Sequence, residues 1–143
     1  MIDNKISNEF QNNGVVLLKR IIDQKWIEEL RKGVENNFKK PSKYKCVYEE
    51  SDNQEIFYDD YCNWQRIKEY KNFIFNSDIA KIAGSLMQSN KVNLFHEHVL
   101  IKEKGSKKRT PWHQDQGYYC VQGRDNVSIW IPLDKIDINS SME

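Results

Sequence analysis

The sequence predicts an α+β domain with a mainly antiparallel sheet. Three observations carry that reading. The 143 residues suit a single domain with a real core. Helix-like spacing of apolar residues dominates up to about residue 90, and strand-like alternation replaces it afterwards. No internal repeat, low-complexity tract or Pro/Gly-rich linker divides the chain.

Taken in order, Phe10-Gln11-Asn12-Asn13-Gly14 reads as a turn entering a short buried strand over Val15-Val16-Leu17-Leu18. Asp23 is placed to cap a helix in which Trp26, Ile27, Leu30 and Val34 recur on one face. Glu28, Glu29, Arg31 and Lys32 form its wet side. Residues 40–63 scatter aromatics among acids, which predicts irregular structure or short strands covering something. A second helical region runs from about Trp64 to Gln88, broken near Asn76-Ser77-Asp78. Ser77 or Asp78 is the expected cap for Ile79, Ile82, Ala83, Leu86 and Met87. Val92 to Lys102 then reads as a strand, with Val92, Leu94, His96, His98 and Leu100 on one face. A basic, glycine-containing loop over 103–110 precedes strand-like pieces that begin at Pro111-Trp112-His113 and at Asn126, the latter reaching Leu133. Asp137 to Glu143 looks like the middle of a loop.

Composition excludes several classes. Lys and Arg number 22 against 21 Asp and Glu, a formal net charge of +1, so no global field draws in nucleic acid or an anionic membrane. Aromatics at 12% are too many for a disordered chain, although mean hydropathy is −0.81. No run approaches the roughly 18 apolar residues that span a bilayer, and the polar start lacks a secretory core. Cys46, Cys62 and Cys120 form no CxxC pair, so neither a disulfide framework nor a cysteine zinc site is expected. A reducing cytoplasm is the expected location.

The chemistry concentrates at His113-Gln114-Asp115. In an extended segment alternate residues project to one side, so the imidazole and the carboxylate point together. A nitrogen donor beside a hard anionic oxygen suits a divalent first-row metal. One more distant histidine would complete the 2-His-1-carboxylate triad of non-haem iron(II) oxygenases. A bare HxD triplet is more often an exposed turn than a metal site. Its neighbours change that balance.

The passage Pro111-Trp112-His113-Gln114-Asp115-Gln116-Gly117-Tyr118, followed by Ser128-Ile129-Trp130-Ile131-Pro132-Leu133-Asp134, resembles the phytanoyl-CoA dioxygenase family of iron(II)/2-oxoglutarate oxygenases. Upstream, His96 to Gly105 resembles the family's strand ending in a K-x-x-G turn, and Asn13-Gly14-Val15-Val16-Leu17 its usual opening. The resemblance is specific from about residue 94 to 134. It implies a double-stranded β-helix, jelly-roll or cupin-like, incomplete here and preceded by N-terminal helices: a helical portion over about 1–90, then the start of the β-helix over about 91–143. It implies that His113 and Asp115 are iron(II) ligands and that Lys102, Trp130 and His98 face 2-oxoglutarate. Gln116, Tyr118 and Tyr119 are the substrate-side candidates because they follow the ligands. Oxygen and a small-molecule or acyl substrate are the implied partners. Asp115 favours hydroxylation, since related halogenases carry a small residue there.

Individual residues also have plainer roles. Lys102 suits a surface strand end, Trp130 a core position, and Lys102, Lys104, Lys107, Lys108 and Arg109 a solvated loop, although an anionic substrate would suit that loop too. His96, His98 and His113 are the three histidines, and none follows Trp130, where the family places its second histidine ligand. The last arginine is Arg124, so the family's 2-oxoglutarate arginine is also missing. The ragged end leads to the expectation of a piece of a longer enzyme, inactive and aggregation-prone alone. Two alternatives stand beside it: a non-catalytic binding module of the same fold, and a zinc domain using His96, His98, His113 and Asp115.

Overall fold

The computed structural model describes all residues except 1, 51–52, 105–108, 124, 140 and 143. Gly105, Lys107 and Lys108 of the expected basic loop therefore lie outside the described residues.

Four helices and one sheet make up the described elements: α1 (Asn4–Asn13), α2 (Gln24–Lys39), β1 (Cys46–Glu50), β2 (Asn53–Tyr61), α3 (Lys68–Asn76), α4 (Ile79–Met87) and β3 (His98–Lys102). The strands are antiparallel in the order β1-β2-β3. This agrees with the expected α+β class. Among the described residues, however, there is one three-stranded sheet. The second, facing sheet that a double-stranded β-helix requires is not among them.

The N-terminus departs from expectation. Asp3 Oδ1 accepts the Ile6 N–H at 2.8 Å and starts α1, and Gly14 at φ 72° ends it by returning its N–H to the Phe10 carbonyl. An aspartate N-cap and a left-handed glycine C-cap are strong boundary signals, and here they frame a helix rather than a turn. The expected buried strand over 15–18 does not form, and Val15 and Leu17 are 66% and 75% exposed. Docking on α4 holds α1 in place: the Ser7 hydroxyl donates to the Ser85 carbonyl, and Gln11 Nε2 to the Leu86 carbonyl at 2.7 Å.

Asp23 does occupy the N-cap of α2, without a side-chain capping bond. The break between α3 and α4 falls at Ser77 and Asp78, where the Ser77 hydroxyl accepts the Ile79 N–H at 3.3 Å. Within residues 40–63 the described segments form the antiparallel strands β1 and β2. Val99 of β3 joins Ile67 and Tyr70 in the core, with Leu30, Val34, Ile74 and Ile101 packed around them. Edge-on ring pairs reinforce the layers, Trp26 with Phe73 between α2 and α3, and Phe38 with Tyr58 between α2 and β2.

Alternation in the strands sorts the sheet into two faces. Tyr58, Asp60, Val99 and Ile101 turn toward the helices. Phe57, Asp59, Tyr61, His98, Leu100 and Lys102 share the opposite face, paired as Phe57 with Lys102, Asp59 with Leu100, and Tyr61 with His98. The expected strand from Val92 shortens to His98–Lys102, and its buried and part-buried positions are Val99 and Ile101 rather than the histidine-bearing face. The pieces beginning at Pro111 and Asn126 are not strands. The first carries a 3-10 turn over Asp115–Tyr118, and the second, 126–133, is irregular. An isolated extended segment has no ladder to satisfy its amides, so alternation alone does not make it a strand.

One buried polar knot fixes the layers. Asp60 is fully buried, and its carboxylate accepts the Asn37 amide at 2.7 Å, the Ser42 N–H at 2.8 Å, the Ser42 hydroxyl and the Tyr58 hydroxyl at 3.1 Å. Arg66 Nη2 lies 3.8 Å away. Burial pushes the Asp60 carboxyl up, but the donors from Ser42, Asn37 and Asn63 outweigh it and hold the group well below the usual carboxylate range.

Candidate metal centre

Gln114, the residue between His113 and Asp115, is extended at φ −115° and ψ 127°. His113 and Asp115 therefore project to the same side with no partner strand needed. His113 Nε2 lies 3.2 Å from Asp115 Oδ1, both side chains about half exposed.

The other ring nitrogen defines what this contact means. His113 Nδ1 is 2.7 Å from the Pro111 carbonyl oxygen, which only accepts, so Nδ1 carries the proton. In the neutral ring Nε2 then presents a lone pair toward a carboxylate oxygen. A proton on Nε2 or a metal ion between the two would hold such an arrangement together. Two ligand atoms on neighbouring corners of an octahedron, with bonds of about 2.1 Å, stand roughly 3 Å apart. The pair fits a first-row divalent ion in donor type, tautomer and spacing.

Asp115 divides its two oxygens. Oδ1 faces the imidazole, while Oδ2 accepts the Tyr119 hydroxyl at 3.2 Å and the Ser128 hydroxyl at 3.4 Å. The Tyr119 ring packs edge-on against Phe95 at 5.0 Å and His96 at 6.0 Å between centroids. This ties the 3-10 turn to the segment leading into β3. His96 in turn meets the rings of Tyr61 and His98. A continuous series of contacts thus runs from Asp115 to the face of the sheet opposite the helices.

On that face His98 Nε2 lies 3.6 Å from Asp59 Oδ2, which also accepts the Tyr48 hydroxyl at 3.4 Å. Its Tyr61 partner stacks on Tyr44 at 4.9 Å. Lys102 sits at the far end of β3 from His98, its ammonium 5.9 Å from the Phe57 ring centre. Trp130 is 44% exposed. Gln116 closes a local loop by donating to the Val121 carbonyl at 2.8 Å, and Tyr118 is 80% exposed beside the His113 ring. Arg31 of α2 reaches across to the Leu133 carbonyl and lies 3.2 Å from Asp134 Oδ1, anchoring the end of the 126–134 segment.

His113, Asp115 and Tyr119 are therefore brought together, with His96 and His98 linked through ring contacts. Among the described residues no three His, Cys, Asp or Glu side chains gather around one point, so the four residues of the zinc alternative do not converge. Two surface concavities, of about 630 Å³ between α1 and α4 and about 240 Å³ between α2 and the sheet, are lined by none of the candidate residues. Asp59 was not among the sequence candidates, and Ser128 was named only within the stretch that carries the family resemblance. For Ser128 the available signal was its place two residues before Trp130. For Asp59 nothing local distinguished it from the neighbouring acids.

Helices stacked on one face of a small antiparallel sheet, with a histidine and a carboxylate held side by side beyond it, define an α+β protein with a candidate metal site. The chain belongs to the phytanoyl-CoA dioxygenase (PhyH) family, whose model matches residues 10–140. That is a family of dioxygenases generally dependent on iron(II) and 2-oxoglutarate. No curated protein and no solved structure gives a match to the chain. No helix among the described residues is long and apolar enough to cross a membrane.

Proposed function

We propose that the chain carries the HxD portion of an iron(II)- and 2-oxoglutarate-dependent hydroxylase acting on a small-molecule or acyl substrate. The observation that supports it most is the His113–Asp115 pair, with Nδ1 tied to a carbonyl and Nε2 left facing the carboxylate. His113 Nε2 and Asp115 Oδ1 would hold the iron. When bound, the iron supplies the place where 2-oxoglutarate and oxygen meet, giving succinate, carbon dioxide and a hydroxylated product.

The remaining roles follow from where the side chains lie. Lys102 offers an ammonium to a co-substrate carboxylate, and His98, steadied by Asp59, lies on the same sheet face two pleats away. Trp130 supplies an exposed indole for a pocket wall, and Gln116, Tyr118 and Tyr119 flank the ligands on the substrate side. The exposure of Trp130 and Tyr118 suits surfaces that a ligand covers.

Anaerobic calorimetric titration with iron(II), or with manganese(II) as an oxygen-stable stand-in, tests the reading. The parent chain is expected to bind one equivalent, and His113→Ala and Asp115→Ala to lose that binding with their melting curves unchanged. A parent chain that binds no metal, or variants that bind as the parent does, would sink it.

A further inference from the structure

We infer that Tyr119 and Ser128 are positioning residues that reserve a single oxygen of Asp115 for the metal; the inference rests on the metal reading of His113 and Asp115. A carboxylate beside a divalent ion can offer one oxygen or both. Offering both fills a position that a co-substrate needs. In this chain hydrogen bonding distinguishes the two oxygens. Oδ1 points at His113 Nε2, at 3.2 Å, whereas Oδ2 is occupied by two hydroxyl donors, Tyr119 at 3.2 Å and Ser128 at 3.4 Å. The two hydroxyls are themselves 3.4 Å apart, so they form a small cluster around that one oxygen.

The donors come from different parts of the chain, and each is held by something else. Tyr119 follows the 3-10 turn, and its ring is wedged against Phe95 and His96 ahead of β3. Ser128 belongs to the segment whose far end Arg31 secures at Leu133 and Asp134. Rotation of Asp115 to present both oxygens would break two hydrogen bonds whose donors cannot easily follow. Hydrogen-bond partners of metal ligands set the orientation and basicity of those ligands, and their removal commonly costs about 10- to 100-fold in metal affinity.

The test uses the whole chain with cobalt(II) as the probe, because its visible absorption reports coordination number and ligand arrangement. Tyr119→Phe keeps the ring against His96 and removes only the hydroxyl. Ser128→Ala removes the second donor, and Ser128→Thr restores it. The double variant Tyr119→Phe/Ser128→Ala is expected to bind cobalt(II) at least about tenfold more weakly and with a changed visible spectrum. The Tyr119→Phe/Ser128→Thr protein should recover most of the parent spectrum. Far-ultraviolet circular dichroism identical to the parent shows that the fold is not the cause. A double variant matching the parent in both affinity and spectrum overturns the inference and leaves the metal site standing. Failure of the parent to bind cobalt(II) overturns the metal reading and this inference with it.

Discussion

His113 Nε2 and Asp115 Oδ1 stand 3.2 Å apart although no strand supports them, because the extended Gln114 between them points both side chains the same way and the Pro111 carbonyl holds His113 Nδ1 at 2.7 Å. Neither side chain is buried and neither takes part in the core. Substituting either should therefore change stability by no more than about 0.5 kcal/mol while removing metal binding. Replacing Asp115 with Asn is the sharper version, since it keeps shape and loses the charge. Differential scanning fluorimetry with and without manganese(II) checks this: the metal-induced rise in Tm should vanish in Asp115→Asn, and the metal-free Tm should stay. An unchanged metal-induced rise would remove Asp115 from the site.

Asp60 and Asn37, both wholly buried, join β2 to α2 through a 2.7 Å hydrogen bond. The Asp60 carboxyl is held well below its ordinary range, so its sign of linkage is that of a depressed acid. Its contribution is fully present above the unfolded value of about 3.9 and is lost as pH falls below that toward the folded value. Asp60→Asn should cost about 2–4 kcal/mol near neutral pH and flatten the acid limb of the stability curve. Urea denaturation at a series of pH values from neutral downward provides the measurement. Parallel acid limbs in parent and variant would mean that another group controls acid unfolding.

How much of this was legible in the sequence depends on range. The α2 and α4 helices could be read because their apolar residues recur at helical spacing and Asp23, Ser77 and Asp78 mark their starts. Missing α1 came from treating Gly14 as the start of a turn when its positive φ closes a helix begun at Asp3. The strand-like pieces at 111 and 126 failed for a different reason. Alternation records which side chains would share a face, whereas a strand exists only where a neighbour satisfies its amides. The His113–Asp115 pair was legible because it needs only extended local backbone. Ser128 reaching Asp115, and Asp59 reaching His98, depend on contacts 13 and 39 residues apart, which no local pattern encodes.

Gly33 sits in the interior of α2, where Ala would ordinarily be favoured by about 1 kcal/mol. Here a Cβ would meet the Tyr70 ring at 2.5 and 2.8 Å and Glu69 Cβ at 3.1 Å. Tyr70 is itself 3% exposed and donates its hydroxyl to Asn37 Oδ1 at 3.3 Å, so the ring has little room to retreat. Overpacking should win, and Gly33→Ala should destabilise by about 1–3 kcal/mol. Chemical denaturation gives the sign directly. A stabilised variant would show that α2 and α3 separate more easily than this crossing implies.

Glu97 lies between the two histidines whose spacing made a metal pair conceivable, and its real partners are backbone. One carboxylate oxygen accepts the Asn63 N–H and the other the Trp64 N–H at 3.1 Å, while the Glu97 carbonyl accepts the Cys62 N–H at 3.2 Å. The side chain thus caps the turn that enters α3, and it does so just after Cys62, whose φ of 61° puts a non-glycine residue in the left-handed region. Hydrogen bonds to a charged acceptor contribute about 1.5–3 kcal/mol each when a partner is removed. Glu97→Ala should therefore lower stability by roughly 2–4 kcal/mol, and Glu97→Gln by less, since its amide oxygen still accepts one of the two N–H groups. Native-state hydrogen exchange distinguishes this from a general loss of packing. The Asn63 and Trp64 amides should lose protection first, ahead of the α2 and β2 amides. Equal loss across all of them would show that Glu97 supports the core as a whole rather than this turn.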